Sequence, residues 1–111
     1  MKEMIVMMNE KEFDEVKELT RGDKKTITQR ILKNLEELGE LSQAVLANEK
    51  ASGCAYKKLT VEDMMEEAID NYLCAVSIIF QIAEENDIDS QDVKKLMETK
   101  IAKWKTKVEN S

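Results

Sequence analysis

Apolar residues recur every three or four positions through most of this 111-residue chain, the spacing that lines one face of an α-helix. Phe13, Val16 and Leu19 mark a first helix over about residues 10–20, and Gly22 suits the chain reversal behind it. Ile27, Ile31, Leu35, Leu38, Leu41 and Val45 mark a second helix over about residues 25–49. The stretch from Ala51 to Tyr56, with Ser52, Gly53 and Cys54, breaks the pattern and reads as a loop. Thr60 followed by Asp63 forms a capping box, which opens a third helix running to about Glu85. Asn86 to Asp89 reads as a turn, and Ser90 is expected to cap a fourth helix that ends near Val108. Residues 1–8, rich in methionine, fit a short strand, a packed arm or an interface segment.

Composition sharpens this picture to an all-α fold. There is no proline and there are three glycines, so little punctuates the helical runs. The length fits a single domain over residues 1–111. A chain of this size buries roughly two thirds of its unfolded surface, enough for a core without disulfides or metals. Cys54 and Cys74 lack metal-type spacing and read as free thiols of a reducing compartment. No apolar run approaches the ~18 residues of a membrane span, and no signal-peptide pattern follows Met1, so a cytoplasmic protein is expected.

The third helix carries the first hint of chemistry. From Tyr72 to Ala83 it is apolar almost all round, which predicts a central position. Its polar exceptions are not scattered. With Ile69 at zero and ~100° per residue, Asp63, Glu67, Asp70, Cys74, Ser77 and Gln81 fall between about 80° and 160°. A polar seam on a buried helix costs free energy unless its groups are paired or wet.

Two acidic clusters then stand out, Glu36-Glu37-Leu38-Gly39-Glu40 and Glu66-Glu67-Ala68-Ile69-Asp70. Each holds an i, i+3 pair, Glu37 with Glu40 and Glu67 with Asp70, and residues so spaced share one helix face. If the two helices pack together, four carboxylates meet in one space. Such a cluster persists mainly where a hard cation neutralises it. One or two Mg²⁺ ions would suit it, with Mn²⁺ as a substitute. The plainer reading is a solvated acidic face, with Lys33–Glu37 an ordinary i, i+4 pair worth ~0.3–0.5 kcal/mol. Glu37 and Glu40 also share their strip with Arg30, Lys33 and the small Ala44, beside the main apolar face.

Charge and the missing histidine narrow the function classes. The formal net charge is −6, which disfavours nucleic-acid binding. A nucleotide remains admissible, because a bound divalent ion turns an acidic cleft into a phosphate site. Without histidine, neither Ser-His-Asp nor Cys-His catalysis nor the Glu-x-x-His motif of di-iron bundles can be built from this chain. Acid–base work falls to carboxylates and lysines, with Glu36 and Glu66 as candidates for an outer general base.

The segment Leu35-Glu36-Glu37-Leu38-Gly39-Glu40-Leu41 resembles the E-E-x-G-E-L run of MazG-like nucleotide pyrophosphohydrolases, a superfamily that includes dimeric dUTPases and dCTP pyrophosphatases. Their E-x-x-E and E-x-x-D pairs are matched by Glu37 and Glu40, and by Glu67 and Asp70. The resemblance covers about residues 25–108. It implies a four-helix MazG-like bundle completed by oligomerisation, as a homodimer or homotetramer. It also implies an enzyme that hydrolyses a nucleoside triphosphate between its α and β phosphates, with Glu37, Glu40, Glu67 and Asp70 as Mg²⁺ ligands. The last helix departs from the family's K-x-x-x-N-x-x-R-like run: Lys100, Trp104 and Lys107 stand at similar spacing, with Trp in place of Asn. Lys100, Lys103 and Lys107 could meet phosphates or form a solvated basic helix end. Trp104 could stack on a base or fill a core or interface, and Lys33 is a further candidate phosphate contact. The competing function is a non-catalytic helical interaction or nucleotide-binding module that keeps the acidic clusters.

Overall fold

The structure, a computed structural model, describes residues 8–49 and 60–111. The described residues are all-α, with four helices and no strand. They are α1 (Glu10–Gly22), α2 (Ile27–Asn48), α3 (Val61–Glu85) and α4 (Ser90–Glu109). The expected loop at Ala51–Tyr56, with Cys54, and nearly all of the ambiguous N-terminal segment lie outside the described residues. The chain divides into two compact units, the first ending at Gln81 and the second spanning Ile82–Ser111.

Local chemistry sets each helix start. Asn9 caps α1: its side chain accepts from the Glu12 N–H at 2.8 Å, and Glu12 accepts from the Asn9 N–H at 3.1 Å. Thr26 and Gln29 form the same reciprocal pair before α2. Thr60 and Asp63 do so before α3, as their spacing predicts. At α4 the expectation of Ser90 as cap is corrected. Asp89 holds that place, its carboxylate accepting from the Asp92 N–H at 2.9 Å, and Ser90 is the first helical residue. An ionised acceptor beside the positive end of the helix outcompetes a hydroxyl one residue later.

Gly22 is the last residue of α1, where the chain reversal is expected. It ends α1 without a left-handed backbone, and Asp23 is the cap residue at φ −91°. The left-handed residue lies after α3, where Asp87 has φ 54°. There the Ile88 N–H bonds the Ala83 carbonyl at 2.9 Å, the long-range bond of a Schellman ending.

The first unit is centred on a polar cluster. Its buried residues are Thr20 from α1, Arg30, Glu37, Ala44 and Ala47 from α2, and Val76 from α3. Phe13 and Phe80 meet edge to face at 5.5 Å and add an aromatic contact between α1 and α3. On α2 the inward strip is Arg30, Glu37 and Ala44, one residue in seven. The apolar face expected from hydrophobicity is only partly covered: Ile27, Leu41 and Val45 are half-buried, whereas Ile31, Leu35 and Leu38 are exposed, as is Leu32. The most buried positions are the small alanines, Glu37 and Arg30, whose bonds tie α2 to α1 and α3. Within the first unit α3 meets both α1 and α2, yet Ile69, Leu73 and Ile79 are each about two fifths exposed.

The seam of α3 is satisfied largely by one side chain. Arg30 Nε donates to Gln81 Oε1, and its Nη1 donates to Ser77 Oγ at 3.1 Å. Its Nη2 donates to the carbonyls of Thr20 at 2.8 Å and Asp23 at 2.7 Å. The Thr20 hydroxyl bonds Ser77 at 2.9 Å and donates to the Val16 carbonyl at 2.7 Å. Gln81 donates in turn to the Lys25 carbonyl at 2.8 Å. A buried guanidinium with its fork filled is a strong tie between elements.

In the second unit, α4 buries no residue. Lys100, Lys103, Trp104 and Lys107 are all exposed, and their spacing puts them on one side of that helix. Trp104 is 70% exposed, so it fills no core within the chain.

Candidate metal centre

One heptad beyond Arg30, the inward strip of α2 presents Glu37. The second and third turns of α3 present Glu67 and Asp70. Carboxylate oxygens of Glu37, Glu67 and Asp70 all lie within 4.8 Å of one another. Glu37 is buried, Glu67 half-buried and Asp70 exposed, so the group runs from the interior to the surface. Glu40 lies outside this trio on the exposed side, yet its carboxylate reaches Glu67 by hydrogen bond and by charge.

The cluster is electrostatically strained. Burial, followed by the charges of Glu40, Asp70 and Glu37, holds the Glu67 carboxyl above its ordinary range. Glu37 Oε2 and Glu67 Oε2 are buried and accept no hydrogen bond among the described residues. Orphaned buried acceptors are costly. Asn34, one turn before Glu37, likewise has a buried Oδ1 without a partner among the described residues. Three carboxylates from two helices, with oxygens left over, fit a hard divalent cation of the Mg²⁺ or Mn²⁺ type.

The chain supplies some positive charge itself. Lys33 Nζ lies 3.1 Å from Glu37 Oε1 and 3.5 Å from Glu36 Oε1. Its pKa is raised, first by the hydrogen bond to Glu37 and then by the charges of Glu36 and Glu37. Glu36 is exposed and engaged with Lys33, outside the carboxylate trio, and Glu66 is exposed as well. Lys33 also borders a cavity of about 230 Å³ that is lined by Lys25, Arg30, Cys74 and Ser77. The Cys74 thiol is pushed up, chiefly by burial and next by the Glu37 charge, so it is a poor nucleophile there.

Sequence spacing finds Glu37, Glu67 and Asp70. It misses Arg30 as the keystone and Asn71 as a neighbour of the cluster, whose amide donates to the Glu37 carbonyl at 3.0 Å and the Glu67 carbonyl at 2.9 Å. The available signal for Arg30 is its place seven residues before Glu37 on a strip with Ala44, facing a seam that needs donors. Lys100, Lys103, Trp104 and Lys107 belong to the second unit. Among the described residues, no helix is long and apolar enough to cross a membrane. No family model, curated protein or solved structure matches the chain.

Proposed function

We propose that the protein is a Mg²⁺-dependent, MazG-like nucleoside triphosphate pyrophosphohydrolase that works as a homodimer or homotetramer in the cytoplasm. The observation that carries this reading is the meeting of Glu37, Glu67 and Asp70 oxygens within 4.8 Å across two helices, with two of the buried oxygens unpaired. These are three of the four positions that the E-x-x-E and E-x-x-D resemblance assigns to metal, and Glu40 adjoins Glu67 as the fourth.

In this reading Glu37, Glu40, Glu67 and Asp70 hold the ion. A divalent ion in such a site neutralises phosphate charge and polarises a phosphoryl oxygen. Glu36 or Glu66 takes a proton from the attacking water. Lys33, on the rim of the cluster, offers its ammonium to the phosphates. The products are a nucleoside monophosphate and pyrophosphate.

Exposed apolar surface supports the oligomer. Ile31, Leu32, Leu35 and Leu38 lie exposed along α2, and patches of this kind on a folded chain mark interaction surfaces. A second reading, a helical interaction module without catalysis, draws on the Lys33–Glu37 pair, which balances part of the cluster charge with no metal.

Pyrophosphate release from a panel of NTPs and dNTPs, with Mg²⁺ and with chelator, tests the proposal. Metal-dependent release from at least one triphosphate is expected. No release from any member would leave the interaction module.

A further inference from the structure

We infer that Asn71 is a positioning residue that sets the spacing of the two acidic turns, an inference that rests on the metal-centre reading above. Asn71 lies one position after Asp70, inside α3 and half-buried. Asparagine is a poor helix former in such a place, because its amide competes for backbone groups. Here both amide hydrogens are committed. One goes back along α3 to the Glu67 carbonyl at 2.9 Å, and the other crosses to the Glu37 carbonyl on α2 at 3.0 Å.

The two carbonyls belong to the same residues whose buried carboxylate oxygens lack partners. One side chain therefore grips the backbone of both principal ligand residues. The metal-free cluster pushes these turns apart, since three carboxylates approach within 4.8 Å. The amide opposes that splay. Mg²⁺ demands near-ideal octahedral geometry at short range, so a small widening between α2 and α3 costs affinity disproportionately. Supporting groups of this kind typically change metal affinity by about 10–100-fold when lost.

Helix propensity makes the test clean. Asn71→Ala removes both hydrogen bonds but improves the intrinsic helix preference of the site, so the global melting temperature should move little. Asn71→Asp keeps the shape, removes the donors and adds a negative charge. If charge alone governed the cluster, that variant would bind Mg²⁺ more tightly. If spacing governs it, the variant binds more weakly.

The experiment is a calorimetric titration of the nucleotide-free full chain with Mg²⁺, repeated with Mn²⁺, on wild type, Asn71→Ala and Asn71→Asp well below their melting temperatures. The dissociation constant is expected to rise about tenfold in Asn71→Ala and to rise in Asn71→Asp despite its added charge. Wild-type affinity in folded Asn71→Ala overturns the inference and leaves the metal centre standing. Failure of the wild-type chain to bind either ion overturns both.

Discussion

Arg30 Nη1 and Ser77 Oγ lie 3.1 Å apart, and through that bond a residue of α2 reaches the polar seam of α3. The same guanidinium accounts for Gln81 and for the carbonyls of Thr20 and Asp23. Removing it takes one donor from each of four part-buried or buried acceptors at once. Arg30→Ala is expected to cost about 3 kcal/mol or more of folding stability. Arg30→Lys should recover little, because an ammonium cannot fill a planar fork. Ser77→Ala, which removes the bonds to Arg30 and to Thr20, should cost about 1–2 kcal/mol. Denaturant titrations followed by circular dichroism measure all three, and an Arg30→Lys variant of wild-type stability would refute the keystone role.

Lys33 is the internal counter-ion of the acidic group, at 3.1 Å from Glu37. Replacing it with methionine keeps the apolar stem and removes the charge. The metal-free Lys33→Met chain should melt lower than wild type, since Glu37, Glu67 and Asp70 then repel without relief. It should also bind Mg²⁺ more tightly, since no ammonium competes for Glu37. Calorimetry and thermal melts read these opposite shifts; a fall in both would mean that Lys33 only packs.

Glu67 gives the cluster a pH dependence. Its carboxyl is held above the ordinary range by burial first and by neighbouring charges second, so between its unfolded and folded pKa the folded chain binds this proton more tightly than the unfolded chain does. That linkage contributes stability below the unfolded pKa and is lost as pH rises through the folded one. Asp63 works in the opposite sense. The Thr60 N–H and then its hydroxyl lower the Asp63 pKa, so its contribution is present above the unfolded pKa and is lost as pH falls through the folded value. In metal-free protein, Glu67→Gln should raise the melting temperature more at neutral pH than in mild acid. A shift that does not change with pH would contradict this assignment.

These sites differ in how visible they are in the sequence. Helix ends are readable where a side chain two or three residues away completes a cap, as Asp63 does for Thr60. Ser90 misleads because serine and aspartate are both good caps and they stand side by side. The acidic trio is legible because i, i+3 spacing is fixed by helix geometry, and Glu37, Glu67 and Asp70 do meet. The inward face of α2 is only partly legible. Periodicity ranks positions by hydrophobicity and selects Ile27, Leu41 and Val45, which are half-buried, together with Ile31, Leu35 and Leu38, which are exposed, and it passes over the more buried Arg30, Glu37, Ala44 and Ala47. Asn71 leaves no pattern either, because its partners are backbone carbonyls, which every residue has.

Asp87 holds a left-handed backbone at φ 54°, where a side chain is tolerated in aspartate better than in most residues but still costs energy. Glycine removes that cost and loses some chain entropy on folding. Asp87→Gly should therefore stabilise the α3 ending by about 0.5 kcal/mol. Asp87→Val should destabilise it by about 1 kcal/mol or more, because a β-branched residue suits this region worst. Paired thermal melts settle the order, which should run glycine, aspartate, valine.

Glu40 and Asp70 sit on the exposed side of the carboxylate group, so neutralising them need not disturb the interior. Glu40→Gln and Asp70→Asn each keep shape and remove one negative charge. Repulsion on Glu67 falls in both, since both charges act on it, and the metal-free variants should melt at or above the wild-type temperature. Their Mg²⁺ affinity and pyrophosphate release should fall sharply, by about 100-fold or more in turnover if each is a direct ligand. Stability and function then move in opposite directions, which is the mark of a site held under strain for a ligand. Full turnover in both variants would remove these two residues from the site, whatever the fate of Glu37 and Glu67.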